Sequence, residues 1–212
     1  MKFVTALLIL LASAFAITKG FEVVGFSIAT RRAVSDEDRS DAIKPWMTTS
    51  GLSYAAREAH LRAVAGSKNP PSTADVGEEI AAILAARPLS STYWISAAAL
   101  SFSMGRSERA KKELMMSIVT GPNEGEVMGR RGAAAVLLWE ILPDDLRQSA
   151  VSDLALVNLT PGERAQIAYG IGMQSPQARQ RIKETLVSSG KIPNHVLGTL
   201  GLPADAGAPN KQ

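Results

Sequence analysis

Two apolar-to-proline pairs punctuate the middle of the chain at one interval. Leu84 precedes Pro88 by four residues, Ile118 precedes Pro122 by four residues, and the pairs lie 34 residues apart. Proline has no backbone N–H and its ring clashes with the preceding turn, so each pair marks where a helix must stop. A chain stopped at such an interval has to build from short helices that bury their apolar faces on one another.

The clearest such segment is Ser91 to Asn123, STYWISAAALSFSMGRSERAKKELMMSIVTGPN. Trp94, Ala97, Ala98 and Ser101 recur at helical spacing, large at one end and small in the middle, which lets a second helix approach closely. Met104-Gly105-Arg106 interrupts the run, and Gly105 can adopt the left-handed backbone that closes a helix and reverses the chain. Ser107 reads as the N-cap of a second helix, with Ala110, Leu114, Ser117 and Ile118 on its buried face. Gly121-Pro122 then ends it.

This pattern resembles the tetratricopeptide repeat, a unit of about 34 residues. Trp94, Ala98, Gly105, Ala110, Leu114, Ser117, Ile118 and Pro122 match; Ala97 and Ser101 depart, since the family has larger apolar or aromatic residues there. One matched unit covers about a sixth of the chain. The resemblance implies an all-α fold of antiparallel helical hairpins stacked as an α-α superhelix, in which the first helix of each unit lines a concave face. Carried onto this unit, Thr92, Ile95, Ala99, Phe102 and Ser103 would line a protein-binding groove. That face is mildly apolar and lacks the Lys and Asn that grip a peptide's terminal carboxylate in the chaperone-binding members. Two roles stay open for it: receiving a partner helix or extended peptide, or packing against a neighbouring helix.

The flanking sequence supplies further helices. Leu52 to Ala65 carries Ala55, Ala59 and Ala63 on one side and Leu61 and Val64 on another, and Gly66 to Ser72 with Pro70-Pro71 breaks it. Thr73 to Ala86 follows, with Asp75, Glu78 and Glu79 where the helix dipole favours acids and Ile80, Ile83 and Leu84 as its apolar stripe. Beyond Pro122 the pattern gives helices over Glu124–Leu142, Asp144–Leu156, a segment opened by Thr160-Pro161, Gln177–Ser188 behind the Ser175-Pro176 cap, and a short one between Pro193 and Leu200. About four hairpins result. The expected organisation is an N-terminal signal or anchor over residues 1–30, a charged linker over 31–51, a helical repeat domain over 52–201 and a frayed tail over 202–212.

At the N-terminus, Phe3 to Ile17 is a continuous apolar run preceded by Lys2. One reading is a cleavable signal peptide, with Ala14-Phe15-Ala16 as its small-x-small site and cleavage near Ala16. The other is an uncleaved anchor. The run alone is short of the about 20 residues a span needs, but Phe21 to Thr30 is again apolar, and Lys19 and Glu22 stand one helical turn apart and can offset each other. A helix from Lys2 to just before Arg31-Arg32 would be long enough to span with tilt, and the resumed apolar character favours this reading. Counting Lys19, Arg31 and Arg32 against Lys2 would keep the C-terminal part in the cytoplasm; the export-signal character of the run argues for the periplasm, the orientation preferred here.

Chemistry-bearing motifs are few. The chain has no cysteine, which excludes disulfides, thiolate ligands and a cysteine nucleophile. His60 and His195 are far apart without a second ligand at i+4, so a metal site is not expected, and His60 reads as a helix-surface residue. No phosphate-binding glycine loop occurs. Ser188 to Lys191 matches Ser-x-x-Lys without its partner motifs, and Gly190 explains it as a helix stop. Asp36, Glu37 and Asp38 fall in the expected linker, which cannot hold an acid–base pair in place. Arg130 and Arg131 have two readings, an anion contact and a solvated helix face, of which the second is preferred; Asn158 is part of a sequon relevant only in a eukaryotic secretory setting. The net charge of +3 is scattered and makes no case for nucleic acid.

The expectation is therefore a non-enzymatic scaffold without cofactor or metal, single-pass in the inner membrane, with a periplasmic helical domain that binds a protein or peptide. The resemblance extends to small bacterial envelope proteins with tetratricopeptide-like domains, some of which serve polysaccharide assembly or export. A cleaved, soluble periplasmic scaffold and an envelope enzyme acting on glycans or peptides are the alternatives.

Overall fold

The computed structural model describes residues 2–32, 36–49, 51–65, 71–156, 159–190, 192 and 194–202. Of residues 2–11 it describes the backbone alone. The described chain is all-helical and divides into two compact units, Met1–Ala86 and Arg87–Gln212. The division falls inside the 52–201 range taken as one repeat domain.

In the first unit, α1 (Lys2–Arg32) is followed by α2 (Asp36–Ile43), a 3-10 turn at Lys44–Thr48, α3 (Ser53–Ala65) and α4 (Thr73–Ala86). The charged stretch read as a linker is thus helical from Asp36. The side chains of Asp36, Glu37 and Asp38 lie outside the described residues. Pro45 sits in the first turn of the 3-10 segment, where its missing N–H is not needed. Trp46 from that turn lies over Gly25 of α1, so close that a Cβ there would meet the indole at 2.8 Å. Its ring meets Phe26 edge-on at 6.1 Å between centroids. Ala56, His60, Ala63 and Val64 of α3 and Glu79, Ile80, Ile83 and Leu84 of α4 are buried. His60 is therefore not a surface residue. Its Nδ1 pairs with Glu79 Oε1 at 2.8 Å, which is what allows two polar groups into that seam.

α1 joins the N-terminal apolar run and its continuation into one helix ending at Arg32, with Lys19 paired to Glu22 at 2.7 Å. Among the described residues, no helix is long and apolar enough to cross a membrane, so the expected spanning helix is not found there. From Ala12 onward small residues and the Lys19–Glu22 pair dilute the apolar character; the side chains of residues 2–11 are outside those described.

The second unit contains α5 (Ser91–Ser103), α6 (Ser107–Thr120), α7 (Gly125–Leu137), a 3-10 turn at Trp139–Ile141, α8 (Asp144–Leu156), α9 (Pro161–Met173), α10 (Pro176–Ser188) and α11 (Asn194–Thr199). α5 and α6 form a hairpin whose turn holds Gly105 at φ +70°, the left-handed conformation its sequence called for. The N-cap of α6 is Arg106, with no side-chain cap, and Ser107 is already helical. In this unit two side-chain caps form where proline follows. Thr160 and Glu163 make a reciprocal capping box on α9, and the Ser175 hydroxyl accepts from the Ala178 N–H at 3.2 Å on α10.

Successive hairpins stack in register. Arg130 of α7 donates to the Ser96 hydroxyl of α5, 34 residues earlier. Gly129 faces Glu163, and Gly170 faces Val136, at the same offset. The first helices α5, α7 and α9 therefore run side by side, an arrangement compatible with a helical repeat. Two apolar cores lie behind them. Ile95, Ala98, Ala110, Leu114, Val127 and Leu138 belong to one; Val136, Trp139, Leu154, Ile167, Ile171 and Ile182 belong to the other.

Gly121 has another role than a left-handed cap, because its φ is −152°. A Cβ there would lie 2.6 Å from Ser91 Cβ, a clash with an atom fixed to the α5 backbone. Gly121→Ala should destabilise the protein by about 1–3 kcal/mol through overpacking, read as a lower denaturant midpoint with an unchanged slope.

Candidate functional site

The second unit carries a groove on the face shared by its first helices. Its volume is about 310 Å³, and α5 supplies Ile95, Ala98, Ala99 and Phe102. α7 supplies Arg130, Ala133, Ala134 and Leu137 at i, i+3, i+4 and i+7, with Leu138 just beyond, and α9 supplies Gln166 and Tyr169. The four alanines form a low floor because they carry little side-chain bulk. Phe102, Leu137 and Tyr169 stand around it as walls, and Tyr169 is 67% exposed.

Of the five residues placed by sequence on a concave face, Ile95, Ala99 and Phe102 line this groove; Thr92 and Ser103 lie outside its lining. The Ser103 hydroxyl bonds to the Leu100 carbonyl at 2.8 Å in its own helix. Sequence reading had Arg130 as an anion contact or a solvated side chain, not as part of this groove, and missed Gln166 and Tyr169. Projecting the five candidates by the 34-residue interval reaches Ala133 and Leu137 of the lining but not Arg130, whose counterpart on α5 is Ser96.

Electrostatically the groove is one-sided. Arg130 is exposed at one end, beside Ser96, with its Nη2 3.1 Å from the serine hydroxyl. No carboxylate belongs to the lining.

Arg131, one residue on, does the opposite of solvating a helix face. It is 1% exposed because a step of one residue turns a helical side chain by about 100°. Its Nε meets Asp153 Oδ2 at 2.8 Å, Nη1 reaches the Ser117 and Gly121 carbonyls at 3.1 and 2.6 Å, and Nη2 reaches the Pro122 carbonyl at 3.1 Å. The guanidinium thereby caps the C-terminal carbonyls of α6 and ties them to α8, where helix ends otherwise lack partners. Burial raises the Asp153 carboxyl pKa more than the Arg131 charge and hydrogen bond lower it. A second polar knot joins α5 to α6: the Ser101 hydroxyl donates to Glu113 at 2.5 Å, and Arg109 holds the other Glu113 oxygen at 2.9 Å.

A smaller cleft of about 180 Å³ is lined by Trp139, Asp144, Arg147, Gln148, Arg181, Glu184 and Thr185. Its charges balance, with Arg147 bonded to Asp144 at 2.7 Å. Among the described residues no three His, Asp or Glu side chains stand close enough to hold a metal ion. Gly190 takes φ +62° and Ser188 bonds back to the Thr185 carbonyl, the geometry of a helix end; Lys191, Asn158 and the His195 side chain lie outside the described residues. No family model matches the chain, and neither a curated protein nor a solved structure does.

Proposed function

We propose that the chain is a non-enzymatic scaffold of tetratricopeptide-like hairpins, held at a membrane of the cell envelope by its N-terminal segment, that binds another protein through the groove of the second unit. The observation carrying this reading is the groove: first helices of three successive hairpins, in 34-residue register, expose one open, mainly apolar face. Surfaces of that kind serve helical-repeat proteins as binding faces. Membrane attachment is supported by the Phe3–Ile17 run and by the apolar side chains that α1 leaves exposed, including Phe15 at 66%, Phe21 at 72% and Val24 at 54%. A contiguous exposed apolar surface marks a site that meets protein or membrane, and the Lys19–Glu22 pair reduces the cost of bringing two charges near lipid.

Cell fractionation with intact-mass measurement tests the attachment. The full-length mass in the membrane fraction is the expected result; recovery of a soluble chain lacking its first 16 residues overturns it. Crosslinking and capture test the groove. Phe102→Glu and Tyr169→Ala should each deplete the same captured partners while helical content by circular dichroism is retained. An unchanged partner set with either variant folded sinks the groove as the binding face.

A further inference from the structure

We infer that the groove's occupant is an amphipathic helix of another protein, carrying an acidic side chain at one end of its apolar stripe. The inference rests on the groove being the binding face and adds the chemistry of what enters it. Three observations select this occupant. The α7 lining residues Arg130, Ala133, Ala134 and Leu137 follow the i, i+3, i+4, i+7 rows that a second helix packs against. The floor is alanine on both α5 and α7, so a helix backbone can approach closely, and the walls Phe102 and Tyr169 can flank an inserted ridge of side chains. The groove is also polarised along its length. Arg130 and Ser96 mark one end, bonded to each other, and the parallel run of α5 and α7 puts Phe102 and Leu137 at the other.

A partner helix lying along α7 therefore meets a guanidinium first and an apolar pocket two turns later, a distance of about 10 Å. The matching pattern is Glu or Asp at i, with Leu, Met or Phe at i+3 or i+4 and at i+7, the anchor spacing of helix-in-groove recognition. The absence of any carboxylate from the lining leaves Arg130 without competition inside the groove. Its bond to the Ser96 hydroxyl uses one of five guanidinium donors, and bidentate geometry favours a carboxylate as the incoming acceptor. Glu126, one turn earlier on α7, is exposed and outside the lining. A basic helix would place like charges together at this end, which costs affinity and sets specificity.

The test is selection of a displayed library of helical peptides, randomised at i, i+3, i+4 and i+7, on the full-length chain in detergent micelles. Enriched peptides should carry an acid at i and apolar residues at the later positions. Their binding to the Arg130→Glu protein should fall at least tenfold, and replacing the acid by Lys should restore affinity for that variant. Peptides enriched without an acid preference, lost with Phe102→Glu but unchanged with Arg130→Glu, overturn the acidic-helix inference while leaving the groove as a binding face. Peptides indifferent to both substitutions, or no enrichment at all, overturn the groove reading together with the inference.

Discussion

Arg131→Met lowers the stability of the second unit by about 3–5 kcal/mol at neutral pH, the cost of removing one partner from a buried ion pair. Methionine fills much of the volume, so the loss is electrostatic rather than a cavity. Asp153 is left in a site 5% exposed, and the carbonyls of Ser117, Gly121 and Pro122 lose their shared donor. The effect has a definite pH dependence. Burial already holds the folded-state Asp153 pKa above its ordinary value, and without Arg131 the two lowering influences disappear. A carboxyl with a raised folded pKa favours the folded state while protonated, and that contribution is lost as pH rises through the folded value. The Arg131→Met protein should therefore regain part of its deficit relative to the parent as pH falls through the carboxylate range. Urea titrations at neutral and mildly acidic pH decide this; an equal deficit at both values would mean that the buried carboxylate is not the source of the loss.

Ile167→Ala is the second large effect. Ile167 is 0% exposed and packs α9 into the core formed with Val136, Leu154, Ile171 and Ile182. Truncation removes buried apolar surface and leaves a cavity, for about 2–5 kcal/mol. Tyr169, two residues on and 67% exposed, stands on the groove side of the same helix, and its replacement by alanine should change stability by less than about 0.5 kcal/mol. The pair separates the two faces of α9. Calorimetry on both variants checks it, and comparable losses would show that Tyr169 is part of the core.

The helices, their order and most of their ends were legible because apolar periodicity and Gly/Pro punctuation act locally. Gly105, Ser175-Pro176 and Thr160-Pro161 behave as local chemistry requires. What stayed hidden depends on partners distant in sequence. Nothing around His60 announces Glu79, 19 residues later, and fully buried arginines are rare enough that Arg131 reads like its neighbour Arg130. Gly121 does cap α6, its N–H bonded to the Ser117 carbonyl, but nothing in the local sequence showed that its size also serves the approach of Ser91. The groove was half visible: the repeat pattern pointed to Ile95, Ala99 and Phe102, but Arg130, Gln166 and Tyr169 come from helices whose repeat signature has decayed.

α7 belongs to both apolar cores of the second unit, giving Val127, Ala135 and the adjoining Leu138 to one and Ala133, Val136 and the adjoining Trp139 to the other. A loosening on either side must therefore pass through this helix. A ligand that immobilises α7 should therefore slow local opening in both cores of the second unit at once.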